Sequence, residues 1–188
     1  GLKIVIPSNA ADAKRLLKMA IRDPNPVVFL EHKALYRQRV FSASPEPSKE
    51  ELQAFGVAKY IRKGTNLTVV CWGMMVFMAS QVADRLLKEG ISVEVIDLRT
   101  IVPLDLDLIV ESIKKTGKLL IAHEAVRTCG FGAEIAALIA EEAFDLLDAP
   151  IKRVTAKDCP VPYCKQLEDA VLPQIEDLER AIRQLAQF

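Results

Sequence analysis

Short apolar runs alternate with amphipathic helical segments over most of the chain, and this alternation sets the strongest limit on how the chain can fold. Residues 67–72 form an apolar run typical of a buried strand, and a helical pattern follows over residues 74–88. The alternation also includes predicted strands at 57–61, 91–98, 118–123 and 151–155, and predicted helices at 105–116, 132–147 and 174–187. Because parallel neighbouring strands need helical crossovers, the pattern predicts an α/β fold, a mostly parallel sheet with helices on both faces.

The opening residues form a smaller unit of the same kind. Residues 2–6 and 27–30 are predicted strands, and the helix between them, over residues 9–22, carries an apolar stripe at helical spacing. Ser8 is the predicted N-cap of this helix. One β-α-β unit cannot bury both of its faces by itself, so we expect this unit to belong to a domain other than the one that follows.

A stretch without hydrophobic periodicity separates the two parts. Serine and proline dominate residues 42–48, and the surrounding residues 38–56 have the composition of a linker or a long surface connection. The pattern therefore predicts an opening unit at 1–37, a linker at 38–56 and an α/β domain at 57–188.

Charge and hydropathy exclude two classes of protein. The chain has 25 Lys and Arg residues and 25 Asp and Glu residues, a formal net charge of zero, whereas a nucleic-acid-binding surface needs clustered cations. No apolar run approaches the roughly 20 residues that span a bilayer. The first residues also lack the charged start and cleavage site of a signal peptide. We expect a soluble globular protein that binds neither nucleic acid nor membrane.

The four cysteines, Cys71, Cys129, Cys159 and Cys164, do not have the spacing of a zinc site. A chain of this size can bury enough apolar surface to fold without disulfides. We interpret them as structural or incidental thiols in a reducing compartment, with redox and metal-binding roles as the alternatives.

Both histidines, His32 and His123, follow predicted strands, where open α/β sheets bind ligands. His123 with Glu124 could act as a general acid/base pair, or the ring could simply bond a neighbouring loop. The glycines of residues 130–132 could cradle a phosphate at a helix start, or form a tight turn. The third glycine of a dinucleotide fingerprint is replaced by Ile135.

A second polar group, Asp97, Arg99 and Thr100, ends another predicted strand and could hold a substrate carboxylate, or form an internal ion pair or an interface contact. The serines that could act as nucleophiles have no histidine near them in sequence; they are Ser8, Ser80, Ser92 and Ser112. The residues alone therefore indicate an α/β domain without a self-sufficient active site.

Several segments taken together resemble the β subunit of 2-oxo-acid dehydrogenase E1 enzymes, of the pyruvate or branched-chain type. The segments that carry the resemblance are GLKIVIPS at 1–8, DPNPVVF at 23–29, EHKALYR at 31–37, EVIDLRT at 94–100, HEA at 123–125, GFGAEI at 130–135, LDAP at 147–150, PVPY at 160–163 and LEDAVLP at 167–173. They cover essentially the whole chain in order. Cys129 and Cys159 depart from the usual pattern, but at no catalytic position of the family.

The resemblance implies an oxidoreductase that uses thiamine diphosphate and Mg²⁺ to decarboxylate pyruvate or a branched-chain 2-oxo acid and passes the acyl group to lipoyl-E2. In this family the catalytic histidine and the activating glutamate precede the segment that matches Gly1, and the α subunit holds the diphosphate. The resemblance thus implies the tail of a truncated pyrimidine-binding domain at 1–37 and a transketolase C-terminal-type domain at 57–188. By itself such a chain would be inactive. Its role would be assembly with the α subunit, a second β subunit and E2.

The resemblance also implies binding residues. The family holds a structural K⁺ partly through the helix end and loop that match Ala20, Asp23 and Asn25, and oxygen ligands suit such a cation. In pyruvate-type members, E2 docks near the twofold axis of paired β subunits. There an aspartate matching Asp148 and the terminal carboxylate, here on Phe188, meet basic side chains of E2.

Alternative assignments and the cellular setting complete the expectations. Another transketolase-like enzyme, such as a deoxyxylulose-phosphate synthase, would share the C-terminal fold. A stand-alone α/β ligand-binding domain would instead use the loop at 130–132. A bacterial cytoplasmic setting is favoured, and mitochondrial and plastid settings are also compatible.

Overall fold

The computed structural model describes residues 1–37 and 45–188, and it is an α/β structure, as the sequence predicts. Its strands are β1 (Lys3–Val5), β2 (Val27–Phe29), β3 (Lys59–Arg62), β4 (Leu67–Cys71), β5 (Val93–Asp97), β6 (Thr100–Val102), β7 (Leu119–Val126) and β8 (Lys152–Ala156). Its α-helices are α1 (Ala10–Arg22), α2 (Met74–Leu87), α3 (Leu106–Thr116), α4 (Phe131–Glu142), α5 (Lys165–Val171) and α6 (Ile175–Ala186). Short 3₁₀ turns occupy Lys33–Arg37 and Phe144–Leu146.

The main sheet has five strands in the order β3-β5-β4-β7-β8. All neighbouring pairs are parallel except β3 with β5, which is antiparallel. In the central strand β4 every side chain is buried, because helices cover both faces of the sheet. The prediction of a mostly parallel sheet is confirmed.

Two apolar cores lie on the two faces of the main sheet. On one face the inward residues of α6, such as Leu178 and Ile182, pack with Leu86 of α2. On the other face Ile113 of α3 packs with Ile135 of α4. This division explains why the helical segments carry apolar stripes rather than apolar residues all round.

The ends of α3 show how local residues set an element. The side chain of Asp105 accepts a hydrogen bond from the backbone of Leu108 and caps the start of the helix. Gly117 ends it with a φ of 65°, a left-handed conformation that glycine adopts without strain. The observed helix therefore closely matches the predicted one.

A second, three-stranded sheet joins the opening unit to the rest of the chain. Its order is β2-β1-β6, in which β1 is parallel to β2 and antiparallel to β6. Strand β6 was absent from the sequence-based expectation, which passed from strand 91–98 to helix 105–116. The β-branched run Thr100–Val102 is the only local sign of it. Through this strand the second part of the chain adds to the sheet of the opening unit.

Three further details differ from expectation, and a fourth concerns the predicted linker. Asn9, not Ser8, caps α1, because its side chain accepts from the backbone of Asp12. Helix α4 ends at Glu142, five residues before the predicted end, and a 3₁₀ turn follows it. Helix α5 was not predicted, and its seven residues are too few for a clear periodic signal. Of the predicted linker, residues 38–44 lie outside the described residues, and residues 45–56 contain no helix or strand.

The opening unit exposes apolar side chains, as expected for a β-α-β unit with few partners. Leu17 is 45% exposed and Ile21 is 75% exposed on the outer face of α1. Leu2 and Leu30, at the ends of its strands, are also about half exposed. Among the described helices none is both long and apolar enough to cross a membrane.

Two adjacent leucines on α2 differ in burial, and their substitution tests the packing of the core. Leu86 is fully buried between α2 and the sheet, whereas Leu87 is half exposed. We expect Leu86→Ala to lower the free energy of unfolding by about 2–5 kcal/mol through lost transfer energy and a residual cavity. The matched control Leu87→Ala should change it by less than about 0.5 kcal/mol. Urea unfolding followed by circular dichroism measures both, and equal losses would contradict the packing of α2.

Candidate functional site

The candidate site lies at the carboxyl ends of the central strands. From β4 the chain crosses first to β5 on one side and later to β7 on the other, so the direction of winding reverses between β4 and β7. In open α/β sheets the crevice at such a reversal is the usual ligand position. Trp72 follows β4 there, and His123 and Glu124 lie on β7 at the same level.

His123 is completely buried at this point. Its ring stacks on Trp72 with centroids 5.2 Å apart, and Phe131 approaches the same indole edge-on. Nδ1 lies 3.1 Å from the carbonyl oxygen of Ala125, an acceptor only, so Nδ1 carries the proton. Burial lowers the pKa of the imidazole, which favours its neutral form. Among the described residues Nε2 has no hydrogen-bond partner.

The glycines of the loop before α4 are explained by this ring. A Cβ at Gly130 would lie 2.7 Å from Cε1 of His123, and a Cβ at Gly132 would lie 2.6 Å from Nε2. Such distances are too short for any side chain, so both positions require glycine for packing. This geometry favours the tight-turn interpretation of the loop over the phosphate-binding one.

His32 and Glu124 link the opening unit to the main sheet. Nε2 of His32 lies 3.1 Å from the Glu124 carboxylate, and each side chain is about 30% exposed. The hydrogen bond that the His32 ring donates to the Glu124 carboxylate raises the pKa of His32, although partial burial opposes this. Glu124 thus pairs with His32 and not, as one expectation had it, with the adjacent His123.

A buried polar network provides a second link between the two parts. The hydroxyl of Ser8 donates a hydrogen bond to the Asp97 carboxylate, and both side chains are fully buried. Burial raises the pKa of Asp97 to about 7, although the Ser8 hydrogen bond acts in the opposite direction. The neighbouring Arg99 lies 3.4 Å from Asp12, whose carboxylate is also buried.

Arg99 has no free donor for a substrate. Its backbone has a φ of 60°, and its guanidinium lies against the residues before β3. There its Nε and one terminal nitrogen, Nη2, both donate to the carbonyl of Val57. Nη2 also donates to the carbonyl of Ala58. The other terminal nitrogen donates to Gln53 and Asp12. The internal-ion-pair interpretation of Arg99 is therefore the one that the geometry favours.

A cavity of about 310 Å³ lies beside these links, between the start of α1 and the 3₁₀ turn, with His32, Glu31 and Tyr36 at its wall. The histidine could move a proton there, but a nucleophile is missing, since the Ser8 hydroxyl is bound to Asp97. In the part of the chain that the structure describes, no serine hydroxyl bonds a histidine.

The residues expected to hold K⁺ lie together at the end of α1. The carbonyl of Ala20 accepts from the backbone of Asp23 at 3.3 Å, and one carboxylate oxygen of Asp23 accepts from the backbone of Asn25 at 2.9 Å. The other carboxylate oxygen accepts a hydrogen bond from the ammonium group of Lys3 at 2.5 Å, and this contact lowers the pKa of Asp23. The oxygen ligands are present, but a lysine already neutralises the carboxylate.

Asp148 and Phe188, the residues expected to bind E2, lie at one end of the main sheet. Asp148 is exposed just before β8, and its backbone donates to Gly117 at 2.7 Å. Phe188 is 64% exposed after α6. Helix α6 runs back along the sheet after β8, so its last turn lies near the amino end of that strand. In agreement with this, Leu185 of that turn packs in the same core as Ala149, which precedes β8.

The cysteines form no disulfide in the described residues. Cys71 is buried in β4, and burial raises its pKa well above its usual value. Cys129, Cys159 and Cys164 are exposed free thiols. The described residues also contain no group of three or more His, Cys, Asp or Glu side chains suited to a metal ion.

Sequence families account for both parts of the chain. Residues 56–178 match the family "Transketolase, C-terminal domain", and residues 1–39 match "Transketolase, pyrimidine binding domain". The first match covers most of the chain, which therefore belongs to the transketolase C-terminal domain family.

Among curated proteins the similarity is to one kind of subunit. The chain is 46% identical over 187 residues to the mitochondrial pyruvate dehydrogenase E1 component subunit beta of Dictyostelium discoideum, which covers 100% of this chain and 52% of that protein. It is 45% identical to the subunit beta of Rickettsia bellii, covering 98% of this chain and 56% of that protein. The chain thus spans about half the length of the curated relatives it matches.

A solved structure has the same fold. A split-gene transketolase, described as an inactive beta4 tetramer, superposes with a TM-score of 0.78 at 25% identity, covering 99% of this chain and 57% of that one. Together these similarities confirm the resemblance drawn from the sequence motifs and the transketolase C-terminal-like fold.

Sequence reasoning missed the contacts that join the two parts. Trp72 was not a candidate, and the pairs of Ser8 with Asp97 and of Asp12 with Arg99 are separated by 89 and 87 residues. No local pattern identifies such pairs. The only available signal was the concentration of polar residues at the strand ends.

The His32–Glu124 contact predicts a pH dependence of stability. Because the pKa of His32 is raised in the folded state, its stabilisation is complete below the unfolded pKa of about 6.5 and is lost as the pH rises through the folded pKa. We expect Glu124→Gln to cost about 0.5–1 kcal/mol at pH 5.5 and close to nothing at pH 8.5.

Urea unfolding at the two pH values measures this effect. Glu142→Gln, an exposed carboxylate at the end of α4, is the matched control and should show no such difference. A cost for Glu124→Gln that is the same at both pH values would contradict the ion pair.

Proposed function

We propose that this chain is the C-terminal part of a β subunit of pyruvate dehydrogenase E1. The observation that carries the proposal is the identity of about 45% over nearly the whole chain to β subunits of this enzyme from an amoeba and a bacterium. A plant relative, the mitochondrial subunit beta-1 of Arabidopsis thaliana, is also 45% identical over 181 residues. These relatives favour pyruvate over a branched-chain 2-oxo acid as the substrate of the parent enzyme.

The parent reaction would be oxidative decarboxylation of pyruvate with acyl transfer to lipoyl-E2. Thiamine diphosphate supplies the carbanion chemistry of such a reaction. His123 packs against the glycine loop at 130–132. On the resemblance, the proposal assigns both cofactors, and the catalytic groups, to other parts of the enzyme.

The proposed role of the chain itself is assembly, and by itself it would be inactive. The buried Asp12–Arg99 and Ser8–Asp97 contacts hold the opening unit against the second part in one orientation. The exposed apolar face of α1 is then available for the rest of a pyrimidine-binding domain. An α subunit and a second β subunit are the proposed partners, in the bacterial cytoplasm or an organelle matrix.

Docking of E2 is the part of this role that can be tested on exposed residues of the chain. Asp148 and Phe188 lie at the same end of the sheet, and both are exposed. The Asp148 carboxylate and the end of the sheet at Phe188 would meet basic side chains of the subunit-binding domain of E2. Charge pairs of this kind govern the rate and register of association.

Calorimetric titration of the chain with the subunit-binding domain of a pyruvate dehydrogenase E2 tests the proposal. We expect salt-sensitive binding that Asp148→Asn, or deletion of Phe188, weakens about fivefold to tenfold, close to 1 kcal/mol. The control Asp107→Asn removes an exposed carboxylate from the start of α3, at the opposite end of the sheet, and should leave the affinity unchanged.

Two outcomes would contradict the docking role. One is no binding by a folded, dimeric chain. The other is binding that neither variant weakens. Sedimentation velocity on the same samples establishes the oligomeric state that this comparison needs.

The K⁺ assignment of Ala20, Asp23 and Asn25 is a separate proposal with its own test. Replacing NaCl by KCl at constant ionic strength should raise the melting temperature by about 2–4 °C, because a ligand that binds only the folded state stabilises it. Lys3→Gln should enlarge the difference, since it frees the Asp23 carboxylate. Asp23→Asn should abolish it, whereas Asp145→Asn, on an exposed turn, should not. Equal melting temperatures in both salts for all variants would exclude the site.

A further inference from the structure

A groove of about 810 Å³ follows the outer edge of the main sheet. Strand β8 forms one wall. Helix α6 and the connection at residues 169–173, between α5 and α6, form the other wall. We call this feature the β8 groove. The assembly role proposed above does not involve the β8 groove.

The edge of β8 is open for most of its length. β8 is the last strand of the sheet, and among the described strands it pairs only with β7. Just beyond β8, the backbone of Lys157 donates to the carbonyl of Val171 at 3.1 Å, so the connection closes one end of the groove. The five residues of β8 leave room for an extended segment of similar length, about 17 Å. An open edge of this kind can accept a further strand.

Five Lys or Arg side chains and three Asp side chains line the groove, which is therefore net positive, although the whole chain has a formal net charge of zero. Its carboxylates are already engaged by other residues: Asp169 pairs with Lys165, Asp177 with Arg180, and Asp158 accepts from Thr128. The charge of Arg127 also acts on Asp158 and helps to lower the pKa of its carboxyl group. Three cationic side chains of the groove have no carboxylate partner in the part of the chain that the structure describes. They are Lys152, Arg153 and Lys157.

Two of these cations lie on opposite faces of the sheet. Lys152 and Arg153 are consecutive in β8, so their side chains point to opposite faces. The guanidinium of Arg153 donates to the carbonyl of Arg127, and that of Arg127 to the carbonyl of Arg153. β8 therefore carries a cationic side chain on each face of the sheet, and that of Arg153 is directed toward the end of β7.

We propose that the β8 groove binds an extended acidic segment of a partner protein. The segment adds to the sheet as a strand beside β8. Its carboxylates lie against Lys152, Arg153 and Lys157, and its other side chains contact α6 and the connection at 169–173. Main-chain hydrogen bonds provide the affinity of such a strand, and the charges select an acidic sequence.

Edge charges also have a simpler use, since lysines on an open edge keep two edges from pairing with each other. That use needs no second wall. In the β8 groove α6 and the connection provide one, and they enclose a space that a bound strand would fill. The site also differs from the proposed E2 surface, which offers carboxylates to a basic partner at the end of the sheet.

Fluorescence anisotropy tests the proposal on the full chain. The probes are labelled octapeptides that alternate Glu with Val, Thr or Tyr, and the same peptides with Lys in place of Glu. We expect the acidic peptides to bind, more tightly at low salt, and the basic peptides not to bind. Hydrogen exchange of the complex should slow at the backbone amides of β8.

Two double variants with the same change in net charge separate a specific groove from general attraction. Lys152→Glu with Lys157→Glu should weaken the acidic peptides about tenfold or more. Lys88→Glu with Lys114→Glu, at the ends of α2 and α3, should change the affinity less than about twofold. Circular dichroism and melting temperature establish that both variants are folded.

Three results would overturn the proposal. The first is no binding of acidic peptides to the folded chain at low salt. The second is an equal loss of affinity in both double variants. The third is no binding, with self-association that appears only when Lys152 and Lys157 are reversed, because charges that merely protect the edge predict this behaviour.

Discussion

Arg99 joins the two parts of the chain, and the arrangement of the candidate site depends on it. Its guanidinium contacts Asp12 of α1 and the carbonyls of Val57 and Ala58, which approach β3. Both charges are almost completely buried. Loss of either partner would leave an uncompensated buried charge, which costs about 3–5 kcal/mol.

The residues around Arg99 extend this connection. Asp97, two positions earlier, accepts a hydrogen bond from Ser8, and β6 begins one position later and pairs with β1. One turn of the chain therefore provides an ion pair, a buried hydrogen bond and a strand pairing to the opening unit. The exposed apolar face of α1 follows from this arrangement, because the contacts hold α1 by its first turn and by β1 rather than by its outer face.

Residues that look catalytic in the sequence have packing roles in the structure. His123 and Glu124 are adjacent in β7, so the pleat directs them to opposite faces of the sheet. His123 enters the core against Trp72, and Glu124 meets His32 from the opening unit. A sequence motif that pairs neighbouring residues fails on a strand for this reason.

Local patterns in the sequence determined most elements of the second part of the chain and their alternation, with the exception of β6 and α5. Apolar periodicity, the Asp105 cap and the Gly117 stop act within one or two turns of a helix, so the sequence shows them directly. Only the tertiary structure decided the pairing of β6 with β1 and the contact of His32 with Glu124, which are 92 residues apart. Such contacts depend on how complete elements pack against one another, and no short stretch of sequence encodes that packing.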